Sequence, residues 1–425
     1  MLAGLVGVIS NLLGETMKLR GSGLRAIARR LVIAAVPPGP GAAGAVKAVG
    51  SGRRVIAVRS RVRMLAVAGA AALAITAVSA VAPGGPAARA AASFSTPAIT
   101  VADGNSVIAV QTAGNGLRFY WNEHGTDTWH GEQVAANGTT FSAPSMVQDG
   151  DSVVIAAEGA GNSLDFYWQP NGGSGWTMET VAGKGTTYSA PSIKQDGKSV
   201  IIAAEGPVNS LEFYWAANGT SAWHQESVAG SGTTFSAPSQ AVNGSSVNIV
   251  AEGPSSSLDF YWAANGSSTW TREVVAGAGT TTDAPAITVN YGSVNVAAFD
   301  ENIVATIFYW ALNGTANWHS ERLPGLAGGA PAITTYPFGV HVVDRDWFGQ
   351  MADKSTSNGT GTWQWTGIGP GGIGAPDGTR SDPAVTMNDD IENVAAIDIN
   401  GNLDFYWQDG DRQYTQEVVD TAANL

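Results

Sequence analysis

The chain has 425 residues, 44% of them hydrophobic, no cysteine and a net charge of −13. Without cysteine there are no disulfides, thiolate metal sites or cysteine nucleophiles. Charge is unevenly divided: residues 1–92 carry 12 Lys/Arg against 1 Asp/Glu, a net of +11, and residues 93–425 carry −24, which argues against nucleic acid or an anionic membrane surface as a partner, since both are drawn by clustered Lys/Arg.

In chain order, residues 1–63 are basic, rich in Gly and Ala, and lack strand alternation. They read as an upstream leader or as a start-site error, with translation then beginning at Met64. Arg59, Arg61 and Arg63 precede an apolar run over 65–82, which is followed by Pro83-Gly84-Gly85-Pro86 and by Ala88-Arg89-Ala90. A basic segment, an apolar segment and a small-residue A-x-A site make 64–92 a signal peptide, and the protein a secreted one. The run is at the lower edge of what a membrane anchor needs, about 17–25 residues; the Gly/Pro cluster and the A-x-A site favour cleavage instead.

The remainder, 93–425, is repetitive. Pro97, Pro144, Pro191, Pro238, Pro285, Pro331 and Pro383 recur at intervals of 47, 47, 47, 47, 46 and 52. A Phe-Tyr-Trp triplet ends at Trp121, Trp168, Trp215, Trp262, Trp310 and Trp407, and a second tryptophan follows eight residues later at Trp129, Trp176, Trp223, Trp270 and Trp318. A period of this length announces a solenoid, a propeller or an array.

Within the unit 189–235, four short segments are marked off: 191–195, 199–205, 210–216 and 223–228. Each is bounded by turn residues such as Asp196-Gly197 and Asn218-Gly219, the latter a primed-hairpin signal. The glycine density argues against a helical repeat, at about 1 kcal/mol per glycine. Units of 47 residues are also too small to bury separate cores without staples. The expectation is an all-β, seven-bladed β-propeller with four antiparallel strands per blade and a repeat of about 47 residues. Whether each blade coincides with one sequence repeat, or is cut one strand out of phase, stays open.

No catalytic constellation stands out. His130, His224 and His319 share one repeat slot after the second tryptophan; His124 and His341 do not. Carboxylates also recur in register. Glu158, Glu205, Glu252 and Asp300 end the second segments, Asp165, Glu212, Asp259 and Asp404 stand three residues before the first tryptophan, and Glu132, Glu179, Glu226, Glu273 and Glu321 stand three residues after the second. Glycosidases need a unique carboxylate pair at a set separation, so repeated acids argue for repeated equivalent sites or repeated structural hydrogen bonds. Aromatic faces beside acids suit sugars. The candidate ligand-binding residues are Trp121, Trp168, Trp176, Trp215, Trp223, Trp262, Trp270, Glu158, Glu205, Glu252, Asp165, Glu212 and Asp259, with the within-repeat pairs Trp168/Trp176, Trp215/Trp223 and Trp262/Trp270 as the aromatic platforms.

The unit from Ser199 through Glu205 and the Phe213-Tyr214-Trp215 triplet to Trp223 resembles the repeats of secreted bacterial and fungal propeller lectins, the fucose-binding and tectonin-like group. The resemblance spans 95–420 and implies sugar sites between adjacent blades, built from Trp or Tyr with Glu and often Arg. The chain departs in one respect: Arg118, Arg272, Arg322, Arg345, Arg380 and Arg412 share no register, which argues against a fucose-type site.

The sixth repeat is irregular. It replaces the triplet by Asp344-Arg345-Asp346-Trp347-Phe348 and adds the loop 367–380. In the seventh, Asp398, Asn400, Asn402 and Asp404 have the oxygen spacing of a calcium loop, but a hairpin turn explains them equally and no metal or cofactor is expected. The Asn-Gly-Thr/Ser triplets at 137, 218, 265, 313 and 358 fit hairpin turns. The functional expectation is a secreted lectin-like protein with several repeated sites between blades and a glycan or cell-surface polysaccharide as partner. The alternatives are an extracellular scaffold binding an exported protein and, behind it, a glycoside hydrolase or lyase.

Overall fold

In a computed structural model, residues 95–123, 126, 128–290, 292–336, 339–357, 361–369, 378–408 and 413–425 are described. The leader and signal readings for 1–92 fall outside them, as do His124, Arg412, the triplet asparagine at 358 and residues 370–377 of the sixth-repeat loop. The described residues contain no helix; 28 strands form seven sheets, each of four consecutive strands in antiparallel order. The first strand of every blade lies beside the first strands of the blades before and after it, and Ala384–Asn388 of the last blade lies beside Ala98–Ala102 of the first. The protein is a seven-bladed β-propeller.

The blades, spanning 98–135, 145–182, 192–229, 239–276, 286–322, 332–368 and 384–420, follow the sequence repeat in phase. Blade 3 is representative: Ser192–Asp196, Ser199–Gly206, Ser210–Ala217 and His224–Ala229, close to the segments expected from the sequence. Both faces of its second strand are covered by neighbouring blades, so Val200 to Gly206 are all buried. Third strands divide by period two: Leu211, Phe213 and Trp215 pack toward blade 4, and Tyr214 toward blade 2. Gly219 takes φ +72° while Asn218 stays outside the left-handed region. The turn is therefore of the type with glycine at its third position rather than the primed turn expected from Asn-Gly. Asn218, Asn265 and Asn313 sit in such turns, but Asn137 does not: it follows Trp129–Ala135, in the connection to the next blade.

Among the described residues, seven apolar clusters fill the seven interfaces between blades. The propeller has no separate core; its interior is the set of interfaces. A recurrent bridge fixes six of them, all but the interface between blades 6 and 7. The second tryptophan of a blade reaches back to the fourth-strand glutamate of the blade before: Trp176 Nε1 to Glu132 at 2.8 Å, Trp223 to Glu179 at 3.4 Å, Trp270 to Glu226 at 2.9 Å and Trp318 to Glu273 at 3.0 Å, with Trp363 bonded in the same way to Glu321. The same indoles stand edge-on to Phe119, Phe166, Phe213, Phe260 and Phe308 of the preceding blade, with ring centroids 4.9–5.2 Å apart, the geometry that the aromatic quadrupole favours.

The seam between the last and first blades uses the same parts. Trp129 Nε1 donates to Glu417 at 2.9 Å and stands edge-on to Phe405 at 5.0 Å. Around this bridge, Tyr120 donates to Asp420 at 2.7 Å, Asn388 Nδ2 donates to the Gly104 carbonyl at 3.1 Å, and the Leu425 carbonyl accepts from Ala113. Among the described residues no strand is exchanged between the first and last blades, and side chains with these few bonds close the ring.

Removing one shared acceptor strands its indole donors. Glu179→Ala is expected to cost about 1–3 kcal/mol, the penalty for buried donors left unpaired. Glu417→Ala, at the seam, is expected to cost the same to within about 0.5 kcal/mol, the spread of independent equivalent sites. Urea unfolding followed by tryptophan fluorescence measures both, and a seam variant of unchanged stability would mean that the ring is open there.

Candidate functional site

The first–second and third–fourth hairpins gather at one end of the blades, and there the bridges floor a series of clefts between neighbours. The cleft between blades 2 and 3 is lined by Phe166, Trp168 and Glu179 of one blade and by Val200, the Asn218-Gly219-Thr220 turn and Trp223 of the next, with Asp149 at its rim. The cleft between blades 3 and 4 repeats this with Phe213, Trp215, Glu226 and Trp270, and that between blades 4 and 5 with Phe260, Trp262, Glu273 and Trp318. A fourth, between blades 1 and 2, holds Phe119 and Trp121, with Gln169 and the 170–173 turn opposite. Their volumes are 190, 350, 400 and 230 Å3 in the order given.

Glu179 and Glu273 are held from two sides, whereas Glu226 is bonded by Trp270 of the next blade at 2.9 Å. Trp168 Nε1 donates to Glu179 Oε1 at 3.2 Å and Trp223 Nε1 to its Oε2; Trp262 and Trp318 do the same to Glu273 at 3.1 and 3.0 Å. An ionised carboxylate has about four acceptor sites, so two bonds leave it fixed in direction with capacity for hydroxyl donors in the cleft. The tryptophans that meet in a cleft thus come from adjacent blades, Trp168 with Trp223 and Trp215 with Trp270, not from one repeat. The within-repeat pairs read from the sequence stand at two different clefts. The shared-slot histidines cover first tryptophans in three blades, as His224 stacks on Trp215 at 4.9 Å and 21°.

All six acids expected to bind ligand lie toward the opposite end of the blades, where second strands turn into third strands, and the cleft acids Glu179, Glu226 and Glu273 are not among them. Glu158 and Glu205 are each 8% exposed and accept from Asn162 Nδ2 and Asn209 Nδ2 at 2.6 and 2.9 Å; Glu252, half-buried, accepts from Ser256 Oγ at 2.9 Å. Desolvation raises the pKa of all three carboxyls, against the lowering effect of these hydrogen bonds. Asp165, Glu212 and Asp259 are buried on third strands, bonded respectively by Thr180, Gln225 and Arg272, the last with Nε at 3.0 Å and Nη2 at 2.7 Å. Each lies against the glycine that ends the second strand: a Cβ on Gly159 would stand 1.9 Å from Asp165 Oδ2, and one on Gly253 2.2 Å from Asp259 Oδ2. This accounts for the recurrent Glu-Gly pair in the sequence.

No protein-family model matches the chain, and no curated protein does. Solved structures do match. The lectin BP39L from Burkholderia pseudomallei aligns with a TM-score of 0.67 at 15% identity, covering 77% of this chain and 99% of its own. The Aleuria aurantia lectin, a six-bladed β-propeller with a described fucose recognition mode, aligns at 0.50 and 14% identity over 67% of this chain and 97% of its own. A prolyl endopeptidase aligns at 0.51 and 12% identity, over 76% of this chain but 49% of its own. What these proteins share with the chain is the fold.

One cleft differs from the series. Strand pairing in blade 6 places Asp353, Lys354 and Ser355 in the positions that Phe308, Tyr309 and Trp310 hold in blade 5. Asp344 and Arg345, read from the sequence as replacing the triplet, instead end the second strand Gly339–Arg345, and Trp347 and Phe348 stand exposed on the loop beyond it. The nearby aromatic pair imitated the missing triplet. In the same register, His341 takes the place of Asn295, Thr366 that of the bridging Glu321, Glu392 that of the buried valines such as Val294, and Tyr414 that of the second tryptophan.

These residues meet in a cleft of 520 Å3 between blades 6 and 7, which His341, Asp353 and Glu392 line. His341 Nδ1 lies 3.1 Å from Asp353 Oδ1 and 2.7 Å from Glu392 Oε2, and Tyr414 donates to the same Glu392 oxygen at 2.8 Å. Burial alone would lower the imidazole pKa, but hydrogen bonds and charge from the two acids outweigh it and raise it to about 10. Sequence reading missed the cluster, although aligning the repeats by strand register exposes it: three ionisable residues stand at slots that are aromatic, aliphatic or amide elsewhere. The calcium reading in blade 7 resolves as a turn, since Asp398 accepts from the Asn400 and Asn402 amides at 2.8 and 2.7 Å and from both their side chains.

Because folding raises the Glu205 pKa, its ionisation opposes folding above the folded-state value. That cost vanishes once pH falls below the unfolded value, where both states are protonated. Glu205→Gln is therefore expected to raise the melting temperature by roughly 1–3 °C at pH 7 and to change it little at pH 4. Calorimetry at the two pH values checks the sign; a Glu205→Gln protein less stable at pH 7 than wild type would show that the ionised carboxylate contributes favourably.

Proposed function

We propose that this is an exported carbohydrate-binding propeller whose sites are the clefts between adjacent blades. The observation that carries the reading is repetition of one arrangement: in three successive clefts, two indoles from neighbouring blades flank a carboxylate beside a hairpin turn, the carboxylate being bonded by both indoles at Glu179 and Glu273 and by Trp270 at Glu226. An indole face suits the C–H side of a pyranose, and a carboxylate fixed in direction but with acceptor capacity to spare suits its hydroxyls. Likeness to propeller lectins supports the reading at the level of fold, and the apolar run and A-x-A site before residue 93 support export. Sites of this kind are individually weak, and several on one ring gain avidity toward a polyvalent glycan through effective concentration.

Trp168→Ala combined with Trp215→Ala removes the aromatic wall of two clefts and leaves Glu179 and Glu226 with their bridging indoles Trp223 and Trp270. On a glycan array carrying fucosylated, mannosylated and cell-wall oligosaccharides, the wild type is expected to bind at least one class. The double variant is expected to lose at least tenfold in apparent affinity at unchanged far-ultraviolet circular dichroism. Absence of binding to every glycan, or undiminished binding by a folded double variant, would overturn the proposal. A second reading, a scaffold for an exported protein, is favoured by one observation only: Trp347 and Phe348 are 59% and 70% exposed on the irregular sixth blade. Capture of a protein partner that is lost on Trp347→Ser with Phe348→Ser, with no glycan bound, would replace the first reading by this one.

A further inference from the structure

The cleft between blades 6 and 7 occupies the same place in its interface as the others and has the opposite chemistry. Where its equivalents are walled by Phe, Trp and Val, it presents Asp353, Ser355 and Glu392, with His341 behind them. Exchanging apolar residues for two buried carboxylates at an interface is costly unless something compensates their charge. Asp353 and Glu392 are 2% exposed each. Among the described residues the compensating cation is one imidazole, shared by both acids through a single nitrogen.

The geometry points to a binding site for one divalent transition-metal cation, zinc or manganese, with His341, Asp353 and Glu392 as its ligands. One ligating atom from each of the three lies within 4.8 Å of the other two. Atoms bound to one ion at about 2.0–2.2 Å in tetrahedral array stand about 3.4 Å apart, so ligation needs changes of roughly 0.3–0.7 Å at the short contacts of 3.1 and 2.7 Å and of at most about 1.4 Å at the longest. A second observation is independent of the cluster's composition: Glu392 Oε1 is buried and has no hydrogen-bond partner. An orphaned carboxylate oxygen at the wall of a cleft, on a side chain already oriented at its other oxygen, is what a missing cation leaves behind.

The surroundings suit ligands held in place. Tyr414 OH bonds Glu392 Oε2 at 2.8 Å, and the Tyr336 ring meets the His341 ring edge-on at 5.0 Å and 67°. Such contacts around ligating groups fix their direction and typically change metal affinity by about 10–100-fold when removed. Three protein ligands leave at least one coordination position directed into the cleft, lined there by Ser355, Thr356, Gln364 and Gln408, so the ion would keep water or take an oxygen from a bound molecule. One nitrogen and two carboxylate oxygens, with two negative charges for a doubly charged ion, fit zinc or manganese better than a soft thiophilic metal. The site does not depend on the glycan reading.

The test is equilibrium dialysis of the whole chain, stripped with EDTA, against zinc or manganese chloride, with metal content by plasma emission and melting with and without metal. One equivalent bound and a melting temperature several degrees higher are expected. His341→Ala and Glu392→Gln are expected to weaken binding at least tenfold and Tyr414→Phe about tenfold, whereas His319→Ala, which removes an exposed imidazole stacked on Trp310, leaves it unchanged. Visible absorption of the cobalt-loaded wild type reads the ligand set without any variant, through bands of a low-coordinate nitrogen–oxygen site. No retained metal, identical melting of stripped and loaded protein, a hexa-aquo-like cobalt spectrum, or full affinity in Glu392→Gln would each overturn the proposal.

Discussion

One carboxylate in every blade but the sixth, accepting from an indole of its own third strand or of the next blade's outer edge, or from both, sets how the blades of this propeller meet. An indole N–H left without an acceptor in a mostly dry interface costs about 1–3 kcal/mol, so the aromatic row of one blade docks productively against the next in the register that brings tryptophan to glutamate. The Phe ring edge-on to the same indole fixes the remaining freedom. Because the seam repeats these parts with Trp129, Glu417 and Phe405, closure needs no strand borrowed from the other terminus, and the first and last blades meet as any two neighbours do.

The same interaction makes the candidate site. A carboxylate positioned for packing between two flat rings at the bottom of an open cleft is, without further adjustment, a rigid acceptor between aromatic walls. A binding role there would cost little in stability, since the groups that line the clefts are those that hold the ring together. The interface between blades 6 and 7 shows what happens where the bridge is absent. With Thr366 in the glutamate slot and Tyr414 in the tryptophan slot, the apolar cluster there consists of Val343, Met351, Ile368, Val394, Ala396 and Tyr406, and ionisable groups occupy positions that are aromatic or aliphatic elsewhere. Blade 6 also carries a buried Lys354–Asp344 pair on its other face, with Thr306 bonded to the same carboxylate, so it replaces packing by charge on both sides.

The sequence made the fold legible because the repeat is itself structural: prolines, triplets and turn residues recur at one spacing, and strand segments emerge from them to within a residue or so. The phase of the blades was not legible, since a ring cut one strand earlier has the same repeat. Cross-blade partnership was hidden for a related reason. Trp176 and Glu132 are 44 residues apart, almost one period, so the true partner of a tryptophan looks like a copy of the glutamate standing three residues after it. Acids in register were legible as a set, but their distribution between two ends of the blade was not; it depends on which side of Gly159 or its equivalents a side chain lies. His341, Asp353 and Glu392 escaped notice because an alignment guided by aromatics slides toward Trp347 and Phe348 and loses the register that brings the three together.

The most direct test of the account uses the indoles themselves. Each of the 14 tryptophans gives one Nε1–H resonance in a nitrogen–proton correlation spectrum, assignable by single substitutions. Titration with the tightest-binding array glycan is predicted to shift the resonances of Trp168, Trp215, Trp262 and their cleft partners Trp223, Trp270 and Trp318, and to leave Trp347, at the opposite end of its blade, where it is. Shifts confined to Trp347, or a spectrum in which the cleft indoles do not respond while glycan is bound, would contradict it.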